Sequence, residues 1–441
     1  MNARWQFTRG FRWQLPMVRA LGVAAVVSAG VLTIIASNGG GGDGGCVDLY
    51  PNPDYDFMVY KGLDSADMNG DGLDDLVVSS SLLFGSEPAS QQCGGITRSE
   101  GSVSVFLQDF SNPGGFLAPQ RYASDTGNPN ALKLADLNGD ALPDVIVTNR
   151  WNSNVFQILL HDPMNVGQLG DAVAYGTVTE PHQIGVGDID LDGRPDVVIA
   201  GTDTVAWHRQ QAGGSFDGRN AIGPGDSALA VADFDADGLL EVATAGRIPD
   251  DEEVLVYRQS MNLPVSFSLA QGIAIDAGIW SLGGGDLNED GRPDIAAAGF
   301  HTDGSSISET WYRVLQTPAT PLEFSLRLPG LGASNNLTAA PMIADLNGDQ
   351  REDVVIGGGD GEVSVFLQGQ TPGEFGQKTV YQLPPDAFGG PDPVNAMAVA
   401  DLNGDVLPDI AVSHGEVFVL FQQPGSPGTF GTPVRIAGEE L

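Results

Sequence analysis

A nine-residue acidic segment recurs seven times along this chain, and few folds accommodate such an array. It reads D-M-N-G-D-G-L-D-D from Asp67 and D-L-N-G-D-A-L-P-D from Asp136. D-I-D-L-D-G-R-P-D follows from Asp188 and D-F-D-A-D-G-L-L-E from Asp233. The last three are D-L-N-E-D-G-R-P-D from Asp286, D-L-N-G-D-Q-R-E-D from Asp345 and D-L-N-G-D-V-L-P-D from Asp401. Successive starts lie 69, 52, 45, 53, 59 and 56 residues apart. A short alternating apolar run precedes the segment, as in Ala131–Ala135 and Ala396–Ala400. A β-branched run follows it, as in Val145–Thr148, Val197–Ile199 and Val354–Ile356. A turn then leads to a third run, seen at Val103–Leu107, Val363–Leu367 and Val417–Phe421. A Pro/Gly turn and a Phe open a fourth, Gly115–Tyr122 or Gly428–Ile436. Runs of this length between turn signals read as strands. No window beyond the N-terminal run carries a helical period.

Four antiparallel strands repeated seven times predict an all-β fold, a seven-bladed β-propeller of four-stranded antiparallel blades. One such sheet cannot bury both faces alone, whereas sheets packed face to face in a ring can. The blades fall near 56–123, 124–176, 177–222, 223–275, 276–329, 330–383 and 384–437. Each holds its own four strands, so the 56–437 ring closes without a strand borrowed from the other terminus. An open β-solenoid is the structural alternative, but its repeats are usually shorter and more regular. The 60 Gly and 28 Pro suit a chain of short elements and many turns.

The segment has the chemistry of a hard-cation loop. Calcium takes six to eight oxygens, and alternate residues of a tight loop point to one side. Positions 1, 3, 5 and 9 offer carboxylate or amide oxygens, and position 7 offers its backbone carbonyl. In order, the first loop supplies Asp67, Asn69, Asp71, Leu73 and Asp75, and the second Asp136, Asn138, Asp140, Leu142 and Asp144. The third supplies Asp188, Asp190, Asp192, Arg194 and Asp196, and the fourth Asp233, Asp235, Asp237, Leu239 and Glu241. The fifth has Asp286, Asn288, Asp290, Arg292 and Asp294, and the sixth Asp345, Asn347, Asp349, Arg351 and Asp353. The seventh has Asp401, Asn403, Asp405, Leu407 and Asp409. Position 12 carries no acid in any repeat, so the loop is not an EF-hand and position 9 closes the ligand set. Asp and Asn also make turns, but a turn does not require four oxygen side chains at fixed odd positions seven times over. About seven calcium ions are expected, one per loop. Position 6 is Gly in four loops but Ala141, Gln350 and Val406 in the others. A left-handed bend at those three costs about 1 kcal/mol each, so weaker sites are expected there unless the backbone bends differently.

These segments are similar to the FG-GAP/VCBS repeats of bacterial surface proteins and of the integrin α-chain propeller. The resemblance covers about residues 56–437. It implies calcium held between the first two strands of each blade.

The formal net charge is −37, which excludes the basic footprint of a nucleic-acid binder. Arg4, Arg9, Arg12 and Arg19 precede an uncharged apolar run, Ala20–Ala36. Residues 1–36 therefore read as a signal peptide, with Ile34 and Ala36 at −3 and −1, or as an uncleaved anchor. The latter would be the chain's one membrane contact. Residues 37–55 form a Gly-rich tether. The two cysteines, Cys46 and Cys93, follow the apolar run, and export would let them form a disulfide. The histidines His161, His182, His208, His301 and His414 show no metal or catalytic spacing, and no nucleophile elbow or phosphate loop is present. His208 reads as packing or surface, and His301 as part of a repeat-five insertion. Trp151, in a connecting turn, is the aromatic most expected to be exposed. The expectation is an exported, calcium-binding, non-enzymatic binding or adhesion module. It would sit at the cell surface or in the periplasm and take an unidentified protein or glycan ligand. A polysaccharide lyase on the same scaffold is the alternative.

Overall fold

Short β-branched stretches bounded by Gly, Pro and Asp give strands rather than helices, and every blade of this chain is built from them. The computed structural model describes residues 23–28, 31–36, 57–83 and 99–436, apart from 125–128, 150–153, 203, 249–250, 261–264, 276–277, 303–306, 318–319, 328–338 and 386–391. The expected Cys46–Cys93 disulfide and Trp151 lie outside the described residues.

The described chain has seven four-stranded sheets, each with its strands in sequence order. Blade 1 comprises Phe57–Ala66, Asp75–Leu83, Ser99–Phe106 and Gln120–Ser124. Blade 2 comprises Pro129–Ala135, Asp144–Asn149, Val155–Leu159 and Val173–Gly176. Blade 3 comprises Pro181–Gly187, Asp196–Gly201, Thr204–His208 and Asn220–Gly223. Blade 4 is Leu229–Ala232, Glu241–Ile248, Asp251–Gln259 and Phe267–Ala274. Blade 5 is Gly278–Gly285, Asp294–Thr302, Ile307–Gln316 and Phe324–Arg327. Blade 6 is Met342–Ala344, Asp353–Gly357, Glu362–Phe366 and Thr379–Gln382. Blade 7 is Ala396–Ala400, Asp409–His414, Glu416–Leu420 and Val434–Arg435. The pairings are antiparallel; in blade 7, for example, Val399 faces Ile410 and Val412 faces Phe418. The chain is thus a seven-bladed β-propeller.

Burial follows the position of each strand in its sheet. The second strands of blades 2, 3, 6 and 7 are buried at every residue. Such strands are covered on both faces by neighbouring blades, which is why their sequences are continuous apolar runs rather than alternating ones. Fourth strands are mostly exposed, as at Val173–Gly176 and Thr379–Gln382. Seven apolar clusters fill the spaces between successive blades. One joins the two ends of the array: Tyr60, Leu63, Leu76 and Phe106 of blade 1 pack with Leu402, Val419 and Ile436 of blade 7. Apolar packing closes the ring, and no strand is exchanged.

Two local expectations are corrected. The Phe after the Pro/Gly turn opens the fourth strand in blades 4 and 5, as Phe267 and Phe324, but not in blades 1, 3, 6 and 7. Phe116, Phe216, Phe375 and Phe430 make isolated bridges to Gln108, Gln210, Gln368 and Gln422, and the fourth strand starts later. The ring is drawn into the inter-blade core instead, where Phe216 and Phe430 are buried. His301 is not in an insertion but in the second strand of blade 5, opposite Ser308.

Separately, Val23–Ser28 and Val31–Ala36 form an antiparallel hairpin within the N-terminal apolar run. Among the described residues no helix is long and apolar enough to cross a membrane.

Candidate metal centres in the acidic loops

Each acidic segment joins the first strand of a blade to the second, and its ninth residue is the first residue of the second strand in all seven blades. The loops share one hydrogen-bond scheme. The amide of position 5 donates to one carboxylate oxygen of position 1 at 3.0–3.2 Å. The amide of position 6 donates to the other at 2.8–2.9 Å. The amide of position 7, from Leu73 to Leu407, donates to the position 5 carboxylate at 2.9–3.1 Å. In the five loops with Asn at position 3, the position 5 amide also donates to that Asn Oδ1.

This winding needs two left-handed residues. Position 6 has a φ of +84° at Gly72, +68° at Ala141, +85° at Gly193, +87° at Gly238, +83° at Gly291, +67° at Gln350 and +70° at Val406. The non-glycine loops therefore take the same bend as the others, not a different one. Position 4 is left-handed too, a feature unforeseen from the sequence: Leu191, Ala236 and Glu289 have φ of +58° to +59°. Those three lie in loops with Gly at position 6, and the three loops without it have Gly139, Gly348 and Gly404 at position 4. Every loop thus has Gly in at least one left-handed position.

The position 9 carboxylates Asp75, Asp144, Asp196, Glu241, Asp294, Asp353 and Asp409 are 0% exposed. In five of them, Asp75, Asp144, Asp196, Asp353 and Asp409, backbone amides hold both oxygens, whereas Asp294 Oδ2 and Glu241 Oε1 have no donor. Met68 N donates to Asp75 Oδ2 at 2.9 Å, and Gln108 N to Asp75 Oδ1 at 2.7 Å. The same pair recurs as Leu137 and His161 on Asp144, and as Leu402 and Gln422 on Asp409. Burial nevertheless raises their pKa, with the nearby loop carboxylates adding to it. Asp144, Asp196 and Asp353 are pushed up to about 6, Asp75 and Asp409 to about 7, and Glu241 and Asp294 to about 8. These acids are buried and clustered with too little positive charge beside them.

Among the described residues, two clusters bring three carboxylates together: oxygens of Asp188, Asp190 and Asp196, and of Asp233, Asp235 and Glu241, lie within 4.8 Å of one another. Asp190 Oδ1, Asp235 Oδ1 and Asp290 Oδ2 are buried with no hydrogen-bond donor. The donor set is all oxygen, and several of its buried carboxylate oxygens have no donor, so these residues fit a hard divalent cation.

A second recurring residue escaped the sequence reading. A buried Gln, or His161 in blade 2, stands at the end of the third strand in blades 4 and 5 and two residues beyond it in the other blades. In blades 3, 4 and 5 its side chain reaches the position 2 carbonyl of the preceding loop. Gln210 Nε2 donates to Leu137 O and Gln259 Nε2 to Ile189 O, both at 2.6 Å, and Gln316 Nε2 to Phe234 O at 2.5 Å. His161 Nε2 lies 3.1 Å from Met68 O, and Gln108 Nε2 lies 3.4 Å from Asp401 O across the closure. The signal was present in the sequence as FLQ, LLH, HRQ, YRQ, VLQ, FLQ and LFQ, one per repeat. Three other described candidates lie in the core. His208 is buried, 2.8 Å from Thr177 Oγ1, and Trp207 and Trp311 are core residues.

Fold and loops together define a β-propeller with one acidic turn per blade between its first two strands. The chain carries FG-GAP-like repeats: that family's sequence model matches residues 188–244, 233–297 and 345–412, each span running from one acidic loop into the second strand of a blade. No curated protein matches the chain in sequence. Among solved structures it is similar to one described as the basis of recognition of non-reducing terminal N-acetylglucosamine by an Agrocybe aegerita lectin. Identity is 18%, coverage is 85% of this chain and 93% of that one, and the TM-score is 0.49. It is also similar to BBS1N in complex with ARL6DN, soaked with mercury. There identity is 14%, coverage 76% and 86%, and the TM-score 0.45.

Proposed function

We propose that this chain is an exported, calcium-loaded interaction module, acting at the cell surface or in the periplasm on a protein or glycan ligand. The observation that carries the reading is the buried position 9 carboxylate repeated in seven identically wound loops. Positions 1, 3, 5 and 9, with the position 7 carbonyl, would hold each ion, which would supply the missing positive charge and cross-link the turn to the second strand. The basic and then apolar N-terminal segment supports export, and the net charge of −37 argues against a nucleic-acid partner. His161 and His208 are occupied in structural contacts, so the reading assigns no catalytic residue.

Binding of the full chain to glycan and cell-surface protein arrays, with calcium and with chelator, tests this. Ligand capture that needs calcium is the expected result. Release of unsaturated product from an acidic polysaccharide, followed by its absorbance, would instead establish a lyase.

A further inference from the structure

Two positions of the repeat vary together within this one chain. The residue before the bridging Gln or His is Leu107, Leu160, Leu315, Leu367 or Phe421 in the five blades whose loop has Asn at position 3. It is Arg209 or Arg258 in the two blades whose loop has Asp190 or Asp235 there. The positions are spatial neighbours: a Cβ on Gly373 would lie 3.6 Å from both Asn288 Cβ and Leu315 Cδ1. In the two exceptional blades the arginine spans two loop positions. Arg209 pairs with Asp190 Oδ2 and, at 3.0 Å, with Asp192 Oδ2. Arg258 Nη2 lies 2.8 Å from Asp235 Oδ2 and 3.1 Å from Asp237 Oδ2. The added carboxylate and the added guanidinium cancel in charge. Asp235 is only 7% exposed, and its Oδ1 has no donor, so part of the cluster still offers free oxygen to an ion.

We propose that Arg209 and Arg258 are internal counter-cations that set the metal affinity of loops 3 and 4, making these two sites the last to fill and the first to empty. The proposal rests on the calcium reading above. A guanidinium on the position 3 and 5 oxygens occupies ligand atoms and repels a divalent ion a few ångströms away. The other five loops, with Leu or Phe in its place, carry no such competitor from the third strand. The position 7 arginines Arg194 and Arg351, in loops 3 and 6, pair within their own loops only with the position 5 carboxylate and do not reach position 3.

Calorimetric titration of the metal-stripped full chain with calcium alone tests it. The wild type should show two classes, five tighter sites and two weaker. In R209L/R258L the two weaker sites should tighten by about tenfold or more. D190N/R209L gives blade 3 the Asn and Leu found in five blades, so one weak site should join the tighter class even if the other variant folds poorly. An isotherm with one uniform class in the wild type, or weak sites that are unchanged or lost in both variants, overturns the proposal. No calcium uptake by the folded wild type would instead defeat the calcium reading beneath it.

Discussion

Val406 holds a φ of +70° and is 86% exposed, a conformation that β-branched side chains avoid. The turn forces it there, because its amide must reach Asp401 Oδ2 at 2.8 Å. Val406→Gly should therefore stabilise the protein by about 1 kcal/mol, read by chemical denaturation; a destabilised variant would show that the bend is not strained. Asp75 is the opposite case. Asp75→Ala removes the acceptor for both the Met68 and Gln108 amides. Each buried donor left unpaired costs about 1–3 kcal/mol, so the melting temperature should fall well below that of Asp71→Ala, whose site is exposed. Equal melting temperatures for the two variants would contradict this.

At the scale of the loop and the strand after it, a bound calcium ion would compete with protons for the same oxygens. The position 9 acids have folded pKa values of about 6 to 8, above the ordinary carboxylate range near 4. Between those limits the folded, metal-free chain binds more protons than the unfolded one, so its stability falls as pH rises. In chelator the melting temperature should therefore drop from pH 5 to pH 8. Each group that stays protonated only in the folded chain costs about 1.4 kcal/mol of stability for every tenfold fall in proton concentration within that window. Calcium requires the ionised form, so in calcium the drop should vanish or reverse. A chelated protein that gains stability over this range would refute the account. The loops and the first three strands of each blade were legible in the sequence because apolar period and turn residues are local signals. The start of the fourth strand in blades 1, 3, 6 and 7 was not, because rings such as Phe216 and Phe430 turn instead into a space shaped by the previous blade. His301 was misplaced for a related reason: the second strand of blade 5 runs on to Thr302, beyond its apolar core, and polar strand ends resemble loops. The left-handed position 4 was hidden because Leu191 and Glu289 carry no turn signature.

Across the whole molecule the sites and the ring are mechanically linked. Gln210, Gln259 and Gln316 each join the acidic loop of one blade to the third strand of the next. Seven apolar interfaces, including the one between blades 7 and 1, hold the sheets together. A ligand specific to the folded state adds about 1.4 kcal/mol per site at ten times its Kd. Calcium should accordingly raise the melting temperature of the entire propeller in one transition. A melting curve identical in chelator and in calcium would separate the fold's stability from its loops. The central claim is that the acidic turns are metal sites and not merely turns, and the count of bound metal tests it most directly. Elemental analysis of the folded chain, equilibrated with calcium and then dialysed, should give about seven calcium ions per chain; two or fewer would contradict the account.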